Sequence, residues 1–377
     1  MKIIEMENTL RLFPDNLTVK DEIPPGTYVV KFSPLSGYSL ERQKDFENKI
    51  KVYGNHLKLR DKMLCRYESS EKNFGVILGG KKGTGKSMLA RLVSEKLIEK
   101  GIPTIIIKED SDGITDFINS IEQPVLILMD EFEKIFIKND EYPEDDTQVK
   151  FLNVFDGISN LKHFYMITIN DYDKLNNYLK GRTGRFYYDF KFGDISVDEI
   201  EEYVDDNLTC ELDVEKEKLI SILNRIKTNY DQLEAIVKEL NYGESLRDTL
   251  TYLNLGIYDI DLQFINIRVF LSNGDHLDIS RRIWIGGIEE IKSHFDFDMS
   301  DKTEGKYDSF PYVLTIPEDA YIYKRDSIEI DSSKVSLSPV FEEINDDDME
   351  LAKKCCPKIK SISMEFESRV SPKVLQI

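Results

Sequence analysis

The chain has 377 residues, room for two or three domains, and its 41% hydrophobic and 32% charged residues are the composition of a globular protein. With 70 acidic against 50 basic residues the net charge is −20, which disfavours nucleic acid as a partner except at a local patch such as Lys44, Lys49, Lys51, Lys58 and Arg60. No apolar run approaches the roughly 20 residues that span a bilayer, and the first six residues are too acidic for a signal peptide, so the expectation is a cytoplasmic protein with no membrane partner.

Residues 1–54 read as an N-terminal extension. Within it Ile23-Pro24-Pro25-Gly26 is a turn signal and Thr27–Phe32 alternates as a strand does. A helix is expected from about Asn55 to Arg66, then an apolar strand over Phe74–Leu78. Directly after it stands Gly80-Lys81-Lys82-Gly83-Thr84-Gly85-Lys86-Ser87, a complete phosphate-binding loop, which leads into a helix from about Met88 to Glu99. Gly80 and Gly85 let the backbone curl so that successive N–H groups point at phosphate oxygens. Lys86 reaches the β- and γ-phosphates, Ser87 offers a hydroxyl to Mg²⁺, and the helix N-terminus adds partial positive charge. The expected nucleotide-binding set is Gly80, Gly83, Thr84, Gly85, Lys86, Ser87 and Met88, with ATP and Mg²⁺ as ligands.

Thr104–Ile107, Val125–Met129 and Phe164–Ile169 are continuous apolar runs, the signature of strands covered on both faces. Their alternation with helices predicts an α/β fold, a parallel sheet with helices on both faces. The second run ends in Asp130-Glu131. Opposite a phosphate loop two such carboxylates divide the work: Asp130 holds Mg²⁺ together with Ser87, and Glu131 orients the attacking water. The third run delivers Asn170, whose amide would touch both the γ-phosphate and that water; the plainer alternative is a cap on the next turn. In Leu179–Phe186 the pair Arg182 and Arg185 forms a fork for phosphate oxygens, against the alternative of salt bridges on an acidic surface.

From Asp194 the pattern becomes helical. Ser196-Val197-Asp198-Glu199 is a capping box, with further helices over about Val214–Lys227, Asp231–Leu240 and Glu244–Tyr252, so 194–255 is a helical subdomain. After 255 the period is two: strands are expected at Leu262–Phe270, Leu277–Ile285, Tyr312–Ile316, Tyr321–Tyr323, Ser327–Ile330 and Ile359–Glu365, with a hairpin turn at Ser272–Asp275. This β-rich domain, 256–377, carries no catalytic constellation. His276 and His294 are isolated, and Asp296-Phe297-Asp298 and Asp346-Asp347-Asp348 read as acidic loops. Cys65, Cys210, Cys355 and Cys356 have no metal-ligand spacing.

Taken together, Gly80–Ser87, Leu126–Glu131, Asn170 and Arg182…Arg185 resemble the Walker A, Walker B, sensor 1 and paired arginine fingers of an AAA ATPase, and Tyr230–Val237 is similar to that family's lid helix. The likeness covers about 55–255, with 55–193 as the nucleotide-binding α/β subdomain and 194–255 as the lid. Pro24–Tyr28, Val52-Tyr53-Gly54, Arg185–Tyr188 and Tyr242–Ser245 further resemble uncharacterised AAA proteins of large tailed phages, which would place the protein in the host cytoplasm. The resemblance implies an ATP hydrolase that works as a homo-oligomer, a hexameric ring. Lys86, Ser87, Asp130, Glu131 and Asn170 of one subunit would share each ATP with Arg182 and Arg185 of the next. It also implies a protein client, or a nucleic-acid-dependent loader or translocase, or an ATP-controlled scaffold. Relatives that thread polypeptides carry an aromatic pore loop after the second strand. Here Lys108–Ile114 is acidic with no aromatic before Phe117, so threading in that manner is not expected.

Overall fold

A computed structural model describes residues 2–6, 9–13, 18–48, 50–139, 146–155, 162–181, 184–211, 215–255, 262–284, 288–301, 306–325, 327–340, 353 and 356–366. The chain divides into two compact units, Met1–Gly193 and Asp194–Ile377.

The first unit starts with an antiparallel hairpin, β1 (Lys2–Met6) and β2 (Thr9–Phe13). Its main sheet is built from β3 (Thr27–Ser33), β4 (Gly37–Arg42), β5 (Phe74–Gly80), β6 (Thr104–Ile106), β7 (Leu126–Met129), β8 (Phe164–Ile169) and β9 (Tyr188–Phe192). The order is β4-β3-β6-β7-β8-β5-β9, parallel except for β4. The helices are α1 (His56–Glu68), α2 (Lys86–Glu99), α3 (Ile114–Asn119), α4 (Phe132–Ile135) and α5 (Leu152–Phe155).

Successive side chains of the central strands supply opposite cores, as the two-residue strand period requires. Val76, Leu78, Leu126, Leu128, Phe164 and Met166 pack with Met63 and Leu64 of α1 and Leu89 and Val93 of α2. Ile77, Ile127, Met129, Tyr165 and Ile167 pack on the other side with Ile118, Phe132 and Phe155. That double coverage explains why these strands are apolar at every position.

The N-terminal extension supplies two strands to this sheet. The expected alternation in β3 is absent: Thr27, Tyr28, Val29 and Val30 are all buried, so both faces of the strand are covered there. The Gln123 amide donates to the Ile23 carbonyl at 3.0 Å and accepts from the Ile23 N–H at 2.7 Å, a side chain standing in for a strand partner.

In the second unit α6 (Val197–Asn207), α7 (Lys216–Arg225), α8 (Tyr230–Asn241) and α9 (Leu246–Tyr252) enclose a core that includes Ile200, Leu219, Leu233 and Leu250. Capping boxes at Ser196/Glu199 and Asn229/Gln232 start α6 and α8. The strands are β10 (Leu262–Leu271), β11 (His276–Trp284), β12 (Ile291–Asp301), β13 (Lys306–Ile316), β14 (Tyr321–Tyr323), β15 (Ile328–Ile330), β16 (Ser336–Pro339) and β17 (Ile359–Phe366). They form the sheets β11-β10-β17, β12-β13-β16 and β14-β15. Ile267, Val269, Ile279, Leu314 and Ile316 belong to one shared core. Helices and strands of this unit are tied by Arg325, which pairs with Asp198 and Glu201 of α6.

One expectation is corrected here. Asp296-Phe297-Asp298 is not an acidic loop but part of β12, with Asp296 opposite Pro311 and Asp298 opposite Ser309. Antiparallel pairing asks only for backbone hydrogen bonds, and the Asp296 side chain is exposed. His294 sits in the same strand opposite Val313. Asp346-Asp347-Asp348 and Cys355 lie outside the described residues.

Candidate nucleotide site

The phosphate loop joins β5 to α2 with Gly80 at φ 148°, Gly83 at φ 73° and Gly85 at φ 89°. Side chains are excluded there by neighbours as well as by backbone. A Cβ on Gly80 would fall 2.2 Å from the Phe192 carbonyl oxygen, and one on Gly85 2.3 Å from His56 Nε2. Thr84 Oγ1 donates to the Lys81 carbonyl at 2.8 Å. Lys86 Nζ donates to the carbonyls of Gly80 at 2.6 Å and Lys81 at 2.7 Å. The lysine is buried, and burial lowers its pKa against the opposing pull of Asp130, Glu133 and Glu131. Met88 is half-buried in the first turn of α2.

At the C-terminal end of β7, Asp130 accepts from Ser87 Oγ at 3.0 and 3.3 Å and from Thr168 Oγ1 at 2.6 Å. Thr168 Oγ1 in turn accepts from the Glu131 N–H at 2.8 Å. Glu131 has φ 55° and ψ 51°, a left-handed conformation that costs a non-glycine residue about 1–2 kcal/mol. That conformation turns its side chain back toward the sheet edge. Glu131 Oε1 accepts from Asn170 Nδ2 at 2.8 Å and lies 3.6 Å from Lys82 Nζ, while Oε2 pairs with Lys134. Lys134 first, then Asn170 and Lys82, hold the carboxyl below the usual range. It is therefore an anion near neutral pH, the form that accepts a proton from water.

Asn170 therefore does not cap the next turn: its amide is spent on Glu131, and Asp171 is the cap, accepting from the Asp173 N–H at 3.0 Å. The Asn170 N–H donates to Glu133 Oε1 at 3.0 Å. Thr168 and Glu133 were missed by sequence reasoning. The run Asp-Glu-Phe-Glu over 130–133 was the signal for the second; nothing in the sequence singles out Thr168.

Beside the Ser87–Asp130 pair opens a cleft of about 480 Å³, floored by Ile106 and Leu128 and rimmed by Arg91, Lys108 and Lys134. These residues fit a magnesium-bound triphosphate. Hydroxyl and carboxylate oxygens already converge, the hard donor set Mg²⁺ takes. The glycine loop adds main-chain N–H groups and a buried ammonium for phosphate.

Arg185 lies elsewhere. Its Nη1 donates to the Tyr178 carbonyl at 2.6 Å, and the Tyr187 N–H beside it donates to the Gly75 carbonyl at 2.8 Å. Gly75 stands near the start of β5, whereas the phosphate loop follows its end, about 16 Å away at the usual strand rise. Arg182 lies outside the described residues.

A glycine loop between strand and helix, whose first helical hydroxyl meets a carboxylate at the end of a strand two places away in a parallel sheet, defines a P-loop nucleoside triphosphatase. Residues 76–194 match the model of the ATPase family associated with various cellular activities (AAA). The chain thus carries an AAA-type ATPase domain, joined to further β-sheets in its second unit. No curated protein gives a match to the chain. Among the described residues no helix is long and apolar enough to cross a membrane.

Proposed function

We propose that the protein is a ring-forming AAA ATPase, a hexamer of this chain, that couples ATP hydrolysis to remodelling a protein or protein–nucleic-acid assembly. The observation that carries this reading is the separation of parts: Glu131 is fixed over the phosphate loop while Arg185 is held at the opposite end of β5. An arginine so placed lies out of reach of its own loop, as one that serves a neighbour's would.

In this reading Lys86 and the loop N–H groups bind the triphosphate, and Ser87 and Asp130 hold Mg²⁺. The metal supplies charge neutralisation at the β- and γ-phosphates. Glu131 takes the proton of the attacking water, and Asn170 keeps its carboxylate aligned. Arg185, with Arg182, stabilises charge on the next subunit's γ-phosphate, a contribution of about 10³–10⁵ in rate where such arginines act.

The client is not gripped by an aromatic pore loop. Phe117 is stacked on Tyr38 of β4 with ring centroids 4.6 Å apart. Tyr38 Oη donates to the Asp112 carbonyl at 2.9 Å, and Lys150 pairs with Asp110 at 3.3 Å. The acidic segment is thereby held by Tyr38 of the strand that the N-terminal extension adds and by Lys150. Kinship with the tailed-phage branch belongs to this reading and rests on the quoted stretches alone.

A second reading, a nucleic-acid-dependent loader or translocase, is favoured by one surface. On α1, Lys62 stacks over the Tyr188 ring at 5.1 Å and Arg66 over the Tyr187 ring at 4.5 Å, cations and aromatics interleaved as single strands prefer. Hydrolysis measured with and without single-stranded DNA or RNA separates the two; stimulation would favour the loader. The ring itself is tested by sedimentation of Glu131→Gln in ATP and Mg²⁺. A single species near six subunits supports it, and a monomer at every concentration overturns it.

A further inference from the structure

Between the helix that Glu131 caps and the turn that carries Arg185 lies a buried polar network. Gln148 is fully buried. Its Nε2 donates to two main-chain carbonyls, Phe136 at 2.9 Å and Lys174 at 2.8 Å, and its Oε1 accepts from the Asn176 N–H at 2.8 Å. Phe136 is the C-terminal cap of α4, whose N-terminal cap is Glu131. Asn176 and Asp146 are also buried. Asn176 Nδ2 donates to Asp146 Oδ2 at 2.7 Å, and Asp146 Oδ1 accepts from the Gln148 N–H at 2.9 Å. Asn176 Oδ1 accepts from the Tyr178 N–H at 2.8 Å, and the Tyr178 carbonyl is the group that Arg185 Nη1 holds.

We infer that Gln148 is a positioning residue: through Asn176 and Tyr178 it sets the presentation of Arg185 according to the position of α4, and so according to the nucleotide bound in the same subunit. This rests on the proposed sharing of arginine between subunits. The physical basis is burial. A shift of α4 moves the Phe136 carbonyl, and the Gln148 amide is buried away from solvent, so the 174–178 segment must follow or leave buried groups unpaired. The segment's other end is tied to the same helix, since Asn170 is held by its cap Glu131 and by Glu133 within it. A loop anchored to Glu131 at one end and to α4 through Gln148 at the other transmits their movement as a unit. A Leu or Met would fill the space but satisfy neither carbonyl.

The test uses mixed assemblies. Glu131→Gln subunits lack the base but donate an arginine; Arg185→Ala subunits keep the base but donate no Arg185. Mixing the two should recover turnover that neither shows alone. Gln148→Leu is then placed on one partner or the other, with the near-isosteric Gln148→Glu as the second variant should the first not fold. On the Glu131→Gln donor it should cut recovered turnover about tenfold, the scale of coupling such networks carry; on the acceptor it should change it less than about twofold. Equal losses in both placements, or none in either, overturn the role of Gln148 while leaving the shared site standing. If the parent mixture recovers nothing, the shared site fails, and this inference with it.

Discussion

In the proposed mechanism Glu131 takes the proton of the attacking water. Its left-handed backbone is retained at some energetic cost, and its carboxylate is claimed on both oxygens by Asn170, Lys82 and Lys134. Glu131→Gln keeps the shape and one acceptor but cannot take a proton. Turnover should fall by about 10²–10⁴, the usual range for a lost general base, with nucleotide affinity nearly unchanged. Steady-state hydrolysis and equilibrium binding of a fluorescent ATP analogue check this, and loss of binding would place Glu131 in the wrong role. His163 makes a different residue-scale prediction. It is fully buried, and burial, only partly offset by the Ile121 backbone, pushes its pKa from 6.5 down to about 4. The unfolded chain takes up this proton near pH 6.5 and the folded one only near 4. The stability it contributes is therefore complete above pH 6.5 and is lost as pH falls toward 4, at about 1.4 kcal/mol per pH unit. The melting-temperature advantage of wild type over His163→Leu should accordingly shrink between pH 7 and pH 5. An advantage that stays constant contradicts it.

At the scale of elements, the strand before the phosphate loop is packed against the loop after β8. A Cβ on Gly79 would lie 2.0 Å from the Tyr172 ring, whose hydroxyl donates to Asp189 of β9 and whose face carries Lys191 at 5.3 Å. Gly79→Ala should lower stability by about 1–3 kcal/mol as overpacking does, and Tyr172→Ala in the same chain should recover part of it. Thermal melts of the single and double variants decide this; an unaltered Gly79→Ala would mean the ring moves aside freely. The sequence revealed Gly80 and Gly85 because they belong to a motif, whereas Gly79 depends on a residue 93 positions on. The same distinction runs through the fold. The apolar runs at 126–129 and 164–169 were legible because both faces are buried. β4 was not, since its residues are all exposed or half-buried and its partner comes from hydrogen bonding to β3. β9 was missed because Tyr188–Phe192 follows the arginine turn at once, with no break in composition. In the site, Ser87, Asp130, Glu131 and Asn170 could be read off because strand ends bring them together. Thr168, Glu133 and Gln148 act through contacts that only folding creates.

At the scale of the whole molecule, the proposed ring divides one catalytic centre between subunits. A single chain holds Glu131 beside the phosphate loop and Arg185 near the other end of β5, and the second unit adds three small β-sheets to a helical bundle with no metal-ligand cluster among the described residues. A surface of charge −20 opposes self-association at low salt, so assembly should strengthen as salt screens it. Light scattering in ATP at two ionic strengths checks this, and dissociation on adding salt would point instead to an interface held by ion pairs. The most direct test of the shared site is hydrolysis per subunit measured across protein concentration, for wild type and Arg185→Ala. Wild-type turnover per subunit should rise steeply as subunits associate. Arg185→Ala should bind ATP normally yet stay about 10³-fold slower, or more, at every concentration. Turnover independent of concentration, or unaffected by Arg185→Ala, would contradict it.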